Sequence, residues 1–131
     1  MKNEYEFPAN QETITKVERL LDELCIEYNV DKKKYGKILV AVLAAVENSI
    51  IHGNGENPEK LLNISYDIEE REIGFIIKDE GVGFNHKDIP DPTTVKMKVV
   101  KKGRGIYLMK ILADKISFNE TGNEVELRFK L

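Results

Sequence analysis

The sequence predicts an α+β fold, a two-layer sandwich in which one mixed β-sheet is covered on one face by helices. Two apolar series with the three-and-four spacing of a helix face fill the first half of the chain. Segments with strand-like alternation dominate the second half, and a further helical series lies between two pairs of them. Elements that are apolar on one side must share a core, and helices first with strands after is the order of an α+β layer architecture. At 131 residues the chain is expected to form a single domain over 1–131, long enough to bury most of its apolar surface and too short for two cores.

Taken in order, Glu4-Tyr5-Glu6-Phe7 alternates charged and aromatic residues and stops at Pro8, which suits a short edge strand. From Asn10 the positions Ile14, Val17, Leu20, Leu21, Leu24 and Cys25 mark one helix face, with Asn10 or Thr13 available as a cap. Asp31 precedes a second series, Ile38, Leu39, Val42, Leu43 and Val46, that runs to Gly53. Because this helix is nearly all apolar after Ile38, it is expected to be buried on most sides, which makes the polar residues near its end conspicuous. Residues 54–58 are dense in turn formers. Leu62–Ile68 and Ile73–Ile77 read as strands joined by a hairpin tip at Glu69–Glu72. Residues 79–103 hold glycines, two prolines and little periodicity, a long connection of the functional or disordered kind. A helix is expected to begin near Gly105, carrying Ile106, Leu108, Met109, Ile111 and Leu112. Ile116–Phe118 and Val125–Phe129 close the chain as strands around Thr121-Gly122-Asn123.

Composition removes several function classes. No apolar run approaches the length that crosses a bilayer, and the acidic start of the chain lacks the basic and apolar opening of a signal peptide, so no membrane association and a cytoplasmic location are expected. Cys25 is the only cysteine, so no internal disulfide and no cysteine-based metal cluster can form; a core thiol is its expected role. A net charge of −3 argues against direct nucleic-acid binding by the whole domain.

Three short stretches carry chemistry. In Val46–Asn54, Asn48 lies four residues after Ala44 and four before His52, so the three positions share a line on one helix face. The Asn48 carbonyl oxygen can serve magnesium, which takes oxygen ligands and keeps phosphate and water in its remaining places; the alternative is an amide capping local backbone. In Asp79-Glu80-Gly81-Val82-Gly83, an aspartate at the end of a strand can accept from an exocyclic amine, and glycines two apart let backbone approach a flat ring or a phosphate. The same residues also suit a tight turn. Lys101-Lys102-Gly103-Arg104-Gly105 opens a helix with free amides and positive charge, an arrangement that receives anions. With Lys96 and Lys98 it forms a run of five cations without an acid, which is also the composition of a solvated loop.

In their order and spacing these stretches resemble the boxes of the GHKL ATP-binding domain shared by gyrase, the heat-shock chaperones, histidine kinases and mismatch-repair ATPases. The chain is most similar to the small bacterial anti-sigma factor serine kinases. Asn48-Ser49-Ile50-Ile51-His52-Gly53 looks like the N-box, Asp79-x-Gly81-x-Gly83 the first glycine box and Gly103-x-Gly105 the second. The resemblance covers essentially the whole chain and implies a histidine-kinase-like, Bergerat-type ATPase fold with ATP and Mg2+ as ligands. Residue by residue it implies Asn48 at the magnesium with His52 beside it, Asp79 at the adenine amino group, and Gly81 and Gly83 beside the ring. A lid over about 85–102 would cover the phosphates, Gly103 and Gly105 would receive them, and Lys101 or Arg104 would meet the terminal phosphate. The partners implied are a sigma factor, an anti-anti-sigma protein of the STAS type, or both; similar kinases form homodimers.

Two positions depart from the pattern. The family places its general-base glutamate four residues before the N-box asparagine, where this chain has Ala44. A general base contributes roughly a hundredfold to ten-thousandfold, and a methyl group cannot supply it. Asn123 stands where many relatives have a threonine that supports the adenine site. The function expected is therefore an ATP-binding anti-sigma-type regulator with weakened kinase activity. The alternatives are an active serine kinase using Glu47 or Glu80, or a nucleotide-independent interaction module. Glu47, one residue before Asn48, points about 100° away from it around the helix.

Overall fold

Alternation along the strands decides which face of the sheet the helices cover. The computed structural model describes residues 3–53, 55, 57, 59–81 and 101–131, with side-chain positions for all of these except 52, 53 and 101–104. In chain order they form β1 (Asn3–Pro8), α1 (Glu12–Glu27), α2 (Lys32–Asn48), a π-helical turn (Ser49–Gly53), β2 (Leu61–Glu69), β3 (Glu72–Lys78), α3 (Lys101–Leu112), β4 (Lys115–Phe118) and β5 (Glu124–Lys130). Gly83 and most of the expected lid lie outside the described residues. Leu62, Ile64 and Tyr66 of β2, Ile73, Phe75 and Ile77 of β3, and Val125, Leu127 and Phe129 of β5 are all buried, at every second position. Each such side chain, fully removed from water, stabilises the fold by about 1.5–3 kcal/mol. Phe75 and Phe129 meet edge to face at 6.1 Å, giving the layer an aromatic centre.

The sheet order is β1-β2-β3-β5-β4, and every neighbouring pair is antiparallel. The expected mixed sheet is thus corrected to an antiparallel one. The physical reason is a split crossover. α3 carries the chain from β3 to β4, which runs the same way as β3, but β5 turns back from β4 and inserts between the two, so the parallel strands never touch.

The helices begin and end where local chemistry permits. Asn10 Oδ1 accepts from the Thr13 amide at 3.3 Å ahead of α1, and Asp31 Oδ1 accepts from the Lys34 amide at 2.9 Å at the start of α2. α2 buries Ile38, Ala41, Val42, Ala45 and Val46 against the sheet while Val40, on its outer flank, is 44% exposed. With Leu39, Leu43 and Ala44 partly buried as well, α2 is covered on most sides, as expected, and open along one flank. α3 starts at Lys101, earlier than the start expected near Gly105, so the last two residues of the expected lid are helical. Glycine costs about 1 kcal/mol against alanine inside a helix; burial of Ile106 and Met109, with α3 packed on α2, offsets Gly103 and Gly105. Among the described residues no helix is long and apolar enough to cross a membrane.

The opposite face of the sheet is polar and is tied together by one side chain. Arg128 on β5 pairs with Asp67 of β2 at 3.2 Å, Glu72 of β3 at 2.9 Å and Glu126 at 3.0 Å. Its guanidinium crosses β3 over Gly74, where an added Cβ would collide with it. Hydrogen bonds that the guanidinium donates to Asp67 foremost hold it in its charged form far above any accessible pH, so the pairing does not weaken through loss of the arginine proton.

Gly74→Ala should destabilise the native chain by about 1 kcal/mol or more by displacing this guanidinium, yet be near neutral in an Arg128→Ala background. Chemical denaturation of the four chains measures the coupling, and additive losses would show that Gly74 and Arg128 act independently. Burial, with the Asp22 carboxylate nearby, pushes the Cys25 thiol up from 9.0 to about 11. Below pH 9 its alkylation in the folded protein should run about a hundredfold slower than that of an ordinary thiol, through loss of thiolate alone. The folded-state pKa is raised, so the thiol's contribution to stability is fully present below the unfolded value and is lost as pH rises toward 11.

Candidate functional site

Four segments meet beside the C-terminal end of α2. Asn48 is the last α-helical residue and lies on the flank of α2, one turn beyond Ala44 and Ala45. Its Oδ1 is buried and has no hydrogen-bond partner among the described residues. More than nine in ten buried polar atoms are paired, and leaving one unpaired costs about 1–3 kcal/mol. The local-capping alternative for Asn48 finds no bond to this oxygen. Among the described residues no group of three or more His, Cys, Asp or Glu side chains can hold a metal ion. A single neutral oxygen therefore fits a magnesium ion that arrives with phosphate and water as its other ligands, and not a cage made by the protein.

Beyond Asn48 the helix widens into its π-turn, with the Ser49 amide still bonded to the Ala45 and Val46 carbonyls. His52 falls within this turn, where the bonding runs from i to i+5, and the expected alignment of its side chain with Asn48 and Ala44 lies outside the described residues. Single π-turns of this kind occur frequently at functional sites.

The second segment follows β3. Asp79 is buried, its Oδ1 accepts from the Gly81 amide at 2.8 Å, and its own amide donates to the Asn123 carbonyl at 2.9 Å. The Asn123 Nδ2 donates to the Gly81 carbonyl at 3.3 Å, so the β4–β5 turn grips the Asp79–Gly81 turn through backbone and side chain together. Asn123, Asn48, Ser49, Ile77, Met109 and Val125 share the wall of a cavity of about 10 Å³. That is the size of one water, so the cavity marks where the segments converge, not where a larger ligand sits.

The third segment is the start of α3. A Cβ added at Gly105 would lie 3.9 Å from the Ala44 carbonyl oxygen, an ordinary contact, and Gly105 has no positive φ. Neither packing nor backbone conformation among the described residues demands a glycine there. The backbone of Lys101, Gly103 and Arg104 lies in the first turns of the same helix, beside α2.

Neither carboxylate considered as a replacement for a base at position 44 lines the cavity beside Asn48. Glu47 is exposed, and Glu80 accepts from the Leu61 amide and borders, together with Asp79, the groove on the polar face of the sheet lined by Glu4, Glu6 and Lys78. One participant was not singled out from sequence. Asn119 Oδ1 accepts from the Gly122 amide at 2.8 Å and the Glu124 amide at 3.2 Å, while its Nδ2 donates to Asn123 Oδ1 at 2.6 Å. An asparagine ahead of Thr121-Gly122 is the signal that could have found it, since asparagine bonds the backbone of the turn that follows it.

The sequence profile of the histidine kinase-like ATPase domain matches residues 7–129. The chain is 38% identical over 82 residues to an anti-sigma F factor of Bacillus cytotoxicus, across 61% of this chain and 56% of that protein. It is 30% identical over 99 residues to an anti-sigma F factor of Clostridium novyi, across 72% of this chain and 69% of that protein. The alignment thus spans a little over half the length of the Bacillus relative. In fold it is similar to the crystal structure of the RsbU and RsbW domains of Rv1364c from Mycobacterium tuberculosis, with a TM-score of 0.68 over 99% of this chain and 32% of that one, at 13% identity.

Because its oxygen makes no bond among the described residues, Asn48→Ala should leave the stability of the free protein within about 1 kcal/mol of native or raise it, while weakening binding of any magnesium-dependent ligand. Thermal melting of the ligand-free chains checks this; a loss above about 2 kcal/mol would show that the oxygen is bonded after all.

Proposed function

We propose that this chain, which belongs to the histidine kinase-like ATPase domain family, binds ATP with Mg2+ and acts as an anti-sigma-type regulator whose kinase activity is weakened. The observation that carries the reading is the buried Asn48 oxygen, unpaired among the described residues, in the wall of the small cavity that Asn48 shares with Ile77, Met109 and Asn123. In this reading Asn48 holds the magnesium with His52 nearby, Asp79 accepts from the adenine amino group, and Gly81 and Gly83 leave room beside the ring. Gly103 and Gly105 receive the phosphates at the start of α3, Lys101 or alternatively Arg104 meets the terminal phosphate, and a lid over about 85–102 covers them. The partner is a sigma factor or an anti-anti-sigma protein of the STAS type, the place of action is the cytoplasm, and the consequence is control of transcription through protein contacts.

The chemistry supports holding ATP over consuming it. Phosphoryl transfer depends on positioning, electrostatic stabilisation and a base that orients the nucleophile. Ala44 offers no acceptor, exposed Glu47 points away from Asn48, and Glu80 is engaged with the Leu61 amide on the polar side of the sheet. These placements count against the reading in which Glu47 or Glu80 serves as base.

Saturating ATP with Mg2+, at a hundred times its dissociation constant, should stabilise the native chain by about 2.7 kcal/mol. The absence of a thermal shift would favour a nucleotide-independent interaction module. With a STAS-type protein as acceptor, Ala44→Glu should raise serine phosphorylation by roughly a hundredfold or more over the native chain. Equal rates in the two chains would defeat the weakened-kinase reading while leaving nucleotide binding intact.

A further inference from the structure

We propose that Asn119 and Asn123 form a positioning relay that sets the Asp79–Gly81 turn, and with it the selection of a purine bearing an exocyclic amine. The inference rests on the nucleotide-binding reading above and concerns how this chain's own residues tune it.

The relay follows from donor and acceptor arithmetic. Asn123 Oδ1 accepts from Asn119 Nδ2 at 2.6 Å and from Thr121 Oγ1 at 2.8 Å, which uses both of its lone pairs. With the oxygen fixed on that side, the amide group can only present Nδ2 to the Gly81 carbonyl, which it meets at 3.3 Å. Asn119 is fixed in turn, because its Oδ1 takes the Gly122 and Glu124 amides and its Nδ2 must then face Asn123. Gly122 has a φ of +80°, a left-handed conformation that lets the turn fold back onto Asn119. The chain of orientation therefore runs from the β4–β5 turn through two amide groups to the carbonyl of Gly81, 42 residues away in sequence from Asn123.

At the receiving end, the turn is held from three sides. The Asp79 amide is bonded to the Asn123 carbonyl, the Gly81 amide to Asp79 Oδ1, and the Gly81 carbonyl to Asn123 Nδ2. The Gly81 amide and the Gly81 carbonyl belong to successive peptide planes that share the Gly81 Cα, so a displacement at the carbonyl reaches the Asp79 carboxylate through that Cα and the second of these bonds. Asn119 and Asn123 thus act on the base through Asp79 and Gly81, as positioning residues that need not touch the ligand.

The relay makes a prediction that simple support of the fold does not. Asn119→Asp keeps the acceptor for the Gly122 and Glu124 amides but removes the donor to Asn123. The Asn123 amide is then free to flip its nitrogen toward the carboxylate introduced by that substitution and to set its oxygen against the Gly81 carbonyl. Affinities for ATP and for purine riboside triphosphate, which lacks the 6-amino group, are measured by titration calorimetry with Mg2+ on native, Asn119→Asp, Asn119→Ala and Asn123→Ala chains, alongside their melting. Each variant should lose about five- to tenfold in ATP affinity, the value of one neutral hydrogen bond, with the amine-free analogue bound as by the native chain. Asn119→Asp, whose turn contacts persist, keeps the comparison valid if Asn119→Ala does not fold. Equal losses for both triphosphates, or unchanged ATP affinity in the variants, would overturn the relay alone. A native chain that binds neither triphosphate would overturn the nucleotide reading and the relay with it.

Discussion

Burial of α2 between the sheet and its neighbouring helices is the constraint on which the rest depends. Ile38, Val42, Ala45 and Val46 leave α2 one way to pack on the apolar face of the sheet, so its C-terminal end can emerge only beside the end of β3 and the β4–β5 turn. The small residues Ala41 and Ala45 allow this close approach, and Asn48 follows on the flank of the same packed surface. A polar oxygen in that position is a cost to the folded state. An oxygen buried beside Val46 and Ile50 without a partner among the described residues is therefore the strongest physical sign of a ligand.

The sheet contributes by register. Alternation places nine apolar side chains of β2, β3 and β5 toward the helices, and a slip of one residue would send all of them to the polar side. The Arg128 ion pairs over Gly74 act on the opposite face and oppose the same slip. With Lys78 paired to Glu124 at the end of the β3–β5 ladder, the next residues along, Asp79 and Asn123, are brought together and joined by the Asp79 amide. The position of the first glycine turn is thus a direct extension of core packing.

Much of this was legible in order and period. The strands, helices α1 and α2, and a hairpin within Glu69–Glu72, which the structure narrows to Glu70 and Arg71, follow from local alternation and from turn and cap residues, which are properties of neighbouring positions. The sheet's antiparallel pairing was not legible, because nothing within β5 says that it will insert between β3 and β4. The early start of α3 was hidden by its glycines, whose helix cost is offset only by packing on α2. The π-turn at Ser49–Gly53 likewise follows α2 without any break in the apolar pattern that could have announced it.

By itself the sequence determined the element types, the three boxes in their order and the missing carboxylate at Ala44, since these depend on residue identity and short spacing. Only the tertiary structure decided that Asn48 Oδ1 is left without a partner among the described residues, that Glu80 turns to the Leu61 amide, and that Asn119 and Asn123 hold Gly81. Hydrogen-bond satisfaction is a property of what distant segments bring together, so an asparagine reads the same in sequence whether its amide is saturated or waiting for a ligand.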